Sequence, residues 1–152
     1  MAEAYRIPVP LFVRLANRMT KLLVRANINV GPMGQTYLLT VPGRKSGLPR
    51  TTPVTMVERQ GASYLFAPYG VVDWVRNLRA AGGGTLQHGR RTRSFTAVEL
   101  TPKQAAPIMR EDFATVPAAV RQFFEVTPSS SLEEFEREAE RHPVFRVTMA
   151  GK

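Results

Sequence analysis

Over residues 8–27 apolar side chains recur at three- and four-residue steps, as Phe12, Leu15, Ala16, Met19, Leu22, Leu23 and Ala26. That spacing predicts a helix with one apolar stripe. Arg14, Arg18, Lys21 and Arg25 fall on a second face, and Gly31-Pro32 ends the segment. The period then changes. β-Branched and aromatic residues over 36–41, 53–58, 63–67, 85–87 and 94–100 predict strands. Pro42-Gly43 stops the first of these, and Arg59-Gln60-Gly61 turns the second into the third. Gly82, Gly83 and Gly84 are expected outside any element, because consecutive glycines carry the most backbone freedom to lose. Asp73 is the expected cap of a short helix over 74–81. Thr101-Pro102 opens a helix that ends before Pro117, and a short one follows over 117–125. Ser131 with Glu134 forms a capping-box pattern for a helix over 132–141. Residues 143–148 close as a strand.

The outline is α+β: a mostly antiparallel sheet closed into a small barrel, with helices around it. The chain has 152 residues and no internal repeat or linker-like tract, so one domain is expected over 1–152. Its parts are a basic amphipathic helix in 1–30, the barrel core in 36–100, helices in 101–142 and a final strand at 143–149.

Composition removes whole chemistries. With no cysteine there is no disulfide framework, thiolate metal site or cysteine nucleophile. Two histidines, His88 and His142, are too few for a histidine metal cluster, so no metal site is expected. No apolar run has the length of a membrane span and MAEAYRIPVP lacks a signal-peptide core, which predicts a cytoplasmic protein.

Charge adds a location. Residues 1–100 carry 14 Lys/Arg against 4 Asp/Glu, whereas 101–152 carry 7 against 8. An anionic partner is therefore sought in the first two thirds of the chain. Two readings of the basic helix stand. It packs on the core with a solvated basic side, or it touches anionic lipid at the inner face of the membrane.

Standard catalytic groups are scarce. Gly43-Arg44-Lys45-Ser46-Gly47 places its serine one position too late for a nucleophile elbow. The only carboxylates of the first hundred residues are Glu3, Glu58, Asp73 and Glu99. The acidic run from Glu133 to Glu140 reads as a solvated helix face. His88 is placed in an exposed turn and His142 at a helix end before a proline, neither with an evident partner.

One stretch concentrates chemistry. From Gly43 to Thr52 the chain holds two glycines, three cations and three hydroxyls in ten residues. Glycines admit an anion close to the backbone, and Arg44, Lys45 and Arg50 supply charge. The spacing is not that of a Walker loop. On composition alone a solvated hairpin and a phosphate site are equally supported. A second segment, from Phe66 to Leu78, runs from a strand end through Gly70 into a helix with the sole tryptophan, Trp74.

Taken together, LLTVPGRKSGLPRTTPV, YLFAPYG and DWVRNLRAAG resemble the deazaflavin-dependent nitroreductase family. These are small split β-barrel proteins, related to flavin-mononucleotide-binding and pyridoxamine-phosphate-oxidase-like barrels, that use reduced coenzyme F420. The resemblance covers residues 36–100, through GRKSG, Pro-Arg-x-x-Pro and Trp-x-x-Asn-Leu in order. It implies that Arg44, Lys45, Ser46 and Arg50 hold the phosphate and acidic tail of the cofactor. Thr51, Thr52, Pro53, Val54 and Thr55 would line the deazaflavin ring. Ala67, Pro68, Tyr69 and Gly70 would form the loop over it, and Trp74, Val75, Arg76 and Asn77 would complete the pocket. For Trp74 and Leu78, plain core packing stands beside that role. The loop before Trp74 is shorter than in many relatives, and Val54-Thr55-Met56 lacks a tyrosine that some carry. Tyr69 is then the candidate proton donor or substrate contact, with packing of a loop aromatic as its other reading.

The implied activity is hydride transfer from reduced F420 to an electron-poor small molecule: a quinone, an activated alkene or a nitro compound. The cofactor supplies the reactive bond, which accounts for the missing acid–base pair. The alternatives are a barrel using flavin mononucleotide, a non-catalytic F420 carrier and, ranked last, a nucleic-acid-binding barrel. No nucleic-acid partner is expected. The chain is a monomer or a homodimer.

Overall fold

The computed structural model describes residues 35–114, 116 and 121–150. The helix expected over 8–27, with its lipid-facing alternative, lies outside these residues, as does the start of the helix expected over 117–125. Among the described residues, no helix is long and apolar enough to cross a membrane.

Six strands form a closed antiparallel barrel in the order β1-β2-β3-β6-β5-β4. They are β1 (Gln35–Pro42), β2 (Pro49–Arg59), β3 (Ala62–Phe66), β4 (Gly83–His88), β5 (Arg91–Glu99) and β6 (Val144–Met149). Among the described residues three helices accompany them: α1 (Asp73–Ala81), α2 (Pro102–Phe113) and α3 (Leu132–Arg141). This is the α+β antiparallel barrel that the pattern predicts, of the split-barrel class that the resemblance implies.

Alternation along the strands sets what faces inward. Leu39, Val41, Val54, Met56, Leu65, Leu86, Phe95, Phe145 and Val147 meet inside the barrel, joined by Val75 and Leu78 of α1. A second core lies between the helices and the sheet. There Ala105, Ala106, Met109 and Phe113 of α2 pack with Phe135 and Ala139 of α3 and with Val144, beside Tyr64 and Phe66. Burying side chains of this size stabilises by about 1.5–3 kcal/mol each.

The β2–β3 hairpin turns on Gln60 and Gly61, both at positive φ (52° and 78°), the backbone of a type I′ turn. The cap of α2 is a full box. Thr101 Oγ1 accepts from Gln104 N–H, and Gln104 Oε1 accepts from Thr101 N–H. Ser131 caps α3 by accepting from Glu134 N–H at 3.2 Å.

Four expectations need correction. Val72, not Asp73, is the N-cap of α1 and makes no side-chain capping bond; Asp73 is drawn instead toward Arg44 at 3.5 Å. Gly83 and Gly84 lie inside β4, because a Cβ would sit 2.3 Å from Phe95 O at the one and 2.3 Å from Thr40 O at the other. They are required by close backbone approach, not by flexibility. Strand β2 begins at Pro49, so half of the presumed basic loop is strand paired with β1. His88 ends β4 half-buried, its Nδ1 3.0 Å from Thr36 O and its ring 5.2 Å from that of Tyr37.

Candidate active site

The loop between β1 and β2 is closed by its own backbone. Gly43 N–H donates to Leu48 O and Gly47 N–H to Gly43 O, both at 2.8 Å. Gly47 takes φ 73°, a left-handed conformation that glycine adopts without strain. Ser46 Oγ accepts from Leu48 N–H at 3.2 Å. A Cβ at Gly43 would lie 2.9 Å from that Oγ, so the loop packs down at this glycine.

Its three cations are used differently. Arg44 is tied to α1: its backbone N–H and Nη1 both donate to Asn77 Oδ1, at 3.1 and 2.9 Å, and its Nη2 faces Asp73. Asp73 and Asn77 stand four residues apart, on one helical face. Among the described residues, Lys45, Arg50 and Arg76 enter no ion pair. Arg44 thus sets the loop against the helix, while Lys45 and Arg50 keep their charge for something else.

The start of β2 is a half-paired strand. From Pro49 to Thr55 it pairs with β1 alone, and β3 joins only at Met56. Among the described residues, the other edge of that stretch has no strand partner, so no ladder there uses its backbone polar groups. Thr51 Oγ1 bonds Thr40 Oγ1 at 2.8 Å. Thr52, Pro53 and Thr55 are half-buried, and Val54 points into the core.

After β3 the chain turns at Ala67–Gly70, where Gly70 N–H donates to Ala67 O at 3.0 Å. Pro68 presets the second position of this turn, and Gly70 follows at φ 82°. Tyr69 is half-buried, and its ring lies 5.2 Å from that of Phe123. Burial pushes the Tyr69 phenol above its ordinary 10.0, so it holds its proton at neutral pH. Trp74 is half-buried against the barrel core, 6.0 Å from the Phe145 ring. Val75 is wholly buried and supports the site from beneath, and Asn77 is buried on the loop side.

Under the turn lies a group that the sequence pattern undervalues. His142 is 1% exposed and far from partnerless. Its Nδ1 lies 3.1 Å from Ala67 O, and its Nε2 lies 3.1 Å from Phe123 O and 3.4 Å from Glu138 Oε2. The Phe124 ring stacks on it at 4.0 Å. Burial raises the Glu138 carboxyl, but the His142 hydrogen bond, the Glu125 N–H and the nearby cations outweigh it. The net effect holds Glu138 below its ordinary 4.5. Glu138 and His142 are four residues apart, and that helical spacing is the signal the sequence offers for the pair. The acidic run around Glu138 hides it.

The structure therefore brings two groups of the expected residues to the two ends of α1's first turns. Arg44, Asp73 and Asn77 meet on the basic side, and Ala67–Gly70 meets Phe123 and His142 on the other.

A closed antiparallel barrel with this basic hairpin and half-paired strand is of the split-barrel class. The chain matches the F420H(2)-dependent quinone reductase family over residues 14–125 and belongs to it. It is an F420H2-dependent oxidoreductase, and its coenzyme is F420. Similar solved structures share the fold. One, described as a domain-swapped dimer, is 22% identical with a TM-score of 0.52, covering 90% of this chain and 97% of its own. An F420-H2 dependent reductase is 23% identical with a TM-score of 0.51, covering 79% and 100%. A protein of unknown function from Agrobacterium tumefaciens is 17% identical with a TM-score of 0.50, covering 97% and 62%. No curated protein matches the chain.

Proposed function

We propose that this F420H2-dependent reductase acts on a quinone-type acceptor, bound between the free edge of β2 and the Ala67–Gly70 turn. The observation that carries the reading is the half-paired stretch of β2, flanked by two uncommitted cations and a protonated tyrosine. A polyanionic planar coenzyme suits that donor set. Lys45 and Arg50 take its phosphate and acidic tail, with Ser46 beside them and Arg44 fixing the loop. The edge of Thr51, Thr52, Pro53, Val54 and Thr55 offers backbone donors and acceptors to the ring, with no N–H at Pro53. Ala67, Pro68, Tyr69 and Gly70 cover the ring and exclude water, and Trp74, Val75, Arg76 and Asn77 form the adjoining wall.

When bound, the reduced deazaflavin supplies a hydride. The chain's part is orientation, a dry cavity and a proton. Tyr69 holds that proton at its phenolic oxygen and donates it to the oxygen that becomes negative on the acceptor. A planar acceptor is favoured by the aromatic surfaces of Tyr69 and Phe123, which stand in ring contact.

A fluorescence titration with F420, followed by turnover of menadione, an enone and a nitroaromatic, tests the reading. Lys45→Ala and Arg50→Ala should each raise the F420 Kd by about ten- to a hundredfold, from about 1.5–3 kcal/mol per charged hydrogen bond. An unchanged Kd in both removes the loop from the site. Tight binding without turnover of any acceptor makes the chain a carrier, and preference for the nitro compound or the enone replaces the quinone.

A further inference from the structure

Ala67 is held from both sides by one short stretch. Its N–H donates to Pro143 O at 3.1 Å, and its carbonyl faces His142 Nδ1. The other ring nitrogen of His142 faces Phe123 O. Carbonyl oxygens only accept, so both contacts are hydrogen bonds only when both ring nitrogens carry hydrogen. The carboxylate of Glu138 stands beside the ring, as buried as the ring itself. Glu138 has a second task, because its Oε1 accepts from Glu125 N–H at 2.7 Å. Phe123 and Glu125, in the connection between α2 and α3, are therefore both fastened to the pair. The remaining charged groups near the pair among the described residues are Arg141 and Glu125, which bind each other at 2.8 Å.

We propose that His142, balanced by Glu138, is a positioning residue for the reaction: it ties the Ala67 turn to the Phe123 segment and so fixes the wall that Tyr69 and Phe123 present to the acceptor. This rests on the assignment of the Ala67–Gly70 turn to the active site. Tyr69 sits two residues beyond the clamped carbonyl, and its ring partner Phe123 is clamped through its own carbonyl. One buried ring thus sets both halves of the contact. Losing it leaves the basic loop untouched, since Lys45 and Arg50 lie on the hairpin beyond Arg44 and Asn77.

The test uses His142→Gln and Glu138→Gln in the whole protein, at a temperature well below unfolding and at saturating F420. Both variants should lower kcat with menadione by about tenfold, as misplacement of a reacting group does. The F420 Kd should stay within about threefold of wild type. A structural role alone would lower the melting temperature and leave kcat at wild type, which overturns the proposal. Lys45→Ala and Arg50→Ala separate the two failures. If both leave the Kd unchanged the site assignment itself is wrong; if either raises the Kd while His142→Gln keeps full kcat, only the positioning role falls.

Should both variants fail to fold, nitrogen NMR of the wild-type imidazoles decides. The chain has two histidines, so His88→Gln assigns the pair. The His142 ring signals should shift when F420 binds. Signals that F420 leaves unmoved refute the proposal.

Discussion

The two sides of the site handle charge in opposite ways. On the β1–β2 hairpin Lys45 and Arg50 are exposed and, among the described residues, enter no ion pair. Beneath the Ala67 turn His142 and Glu138 are 1% and 3% exposed and answer each other. Hydrated cations cost the fold nothing and stay available for binding. A buried ion pair costs desolvation that its own attraction offsets only in good geometry, and what it gains is a fixed arrangement. Exposed and buried charges thus play different parts in one small barrel.

The comparison breaks most visibly if one partner of the buried pair is removed. Glu138→Ala should destabilise the fold toward the lower end of about 3–5 kcal/mol, because it removes the buried carboxylate that faces the His142 ring. Urea unfolding measures this, and a loss under about 1 kcal/mol would mean that the pair is not buried as described.

Acid sharpens the same contrast. A carboxyl held below its ordinary 4.5 gives stability that is complete above that value and is lost as pH falls through the lowered one. Thermal melts below about pH 4.5 should therefore fall for wild type and fall less for Glu138→Gln. Asp112 acts in the opposite sense. Burial raises its carboxyl above 3.8 although Arg59 pairs with it, so its part of the stability grows on acidification. Equal acid slopes in both proteins would remove Glu138 as the cause.

The smallest effect belongs to the hairpin. Lys45→Ala and Arg50→Ala should change folding stability by no more than about 0.5 kcal/mol, whatever they do to cofactor affinity. A larger loss would show that these cations already serve the fold.

The same contrast explains what the sequence can tell. Exposed charge is written in composition, so the hairpin with Arg44, Lys45 and Arg50 is legible from the order of residues alone. Strand alternation and the caps Thr101 and Ser131 are legible too, since they depend on neighbours in the chain. Gly83 and Gly84 mislead because the clash that demands them comes from Thr40 and Phe95 on other strands. Asp73 has the look of a cap, yet Arg44 reaches it from the hairpin. His142 looks idle because both of its carbonyl partners, on Ala67 and Phe123, are distant in sequence. In each case a local rule loses to a tertiary contact.

Strand β6 takes its place between β3 and β5, and this has a consequence for the chain as it is made. Residues 35–99 can form three hairpin ladders in order of synthesis, yet the barrel has no closing stave until Val144–Met149 emerges. His142 and Pro143, which hold Ala67, emerge just before it. A nascent chain stopped short of them has the basic hairpin but neither a shut barrel nor a fixed turn, so the site matures all at once with the last strand.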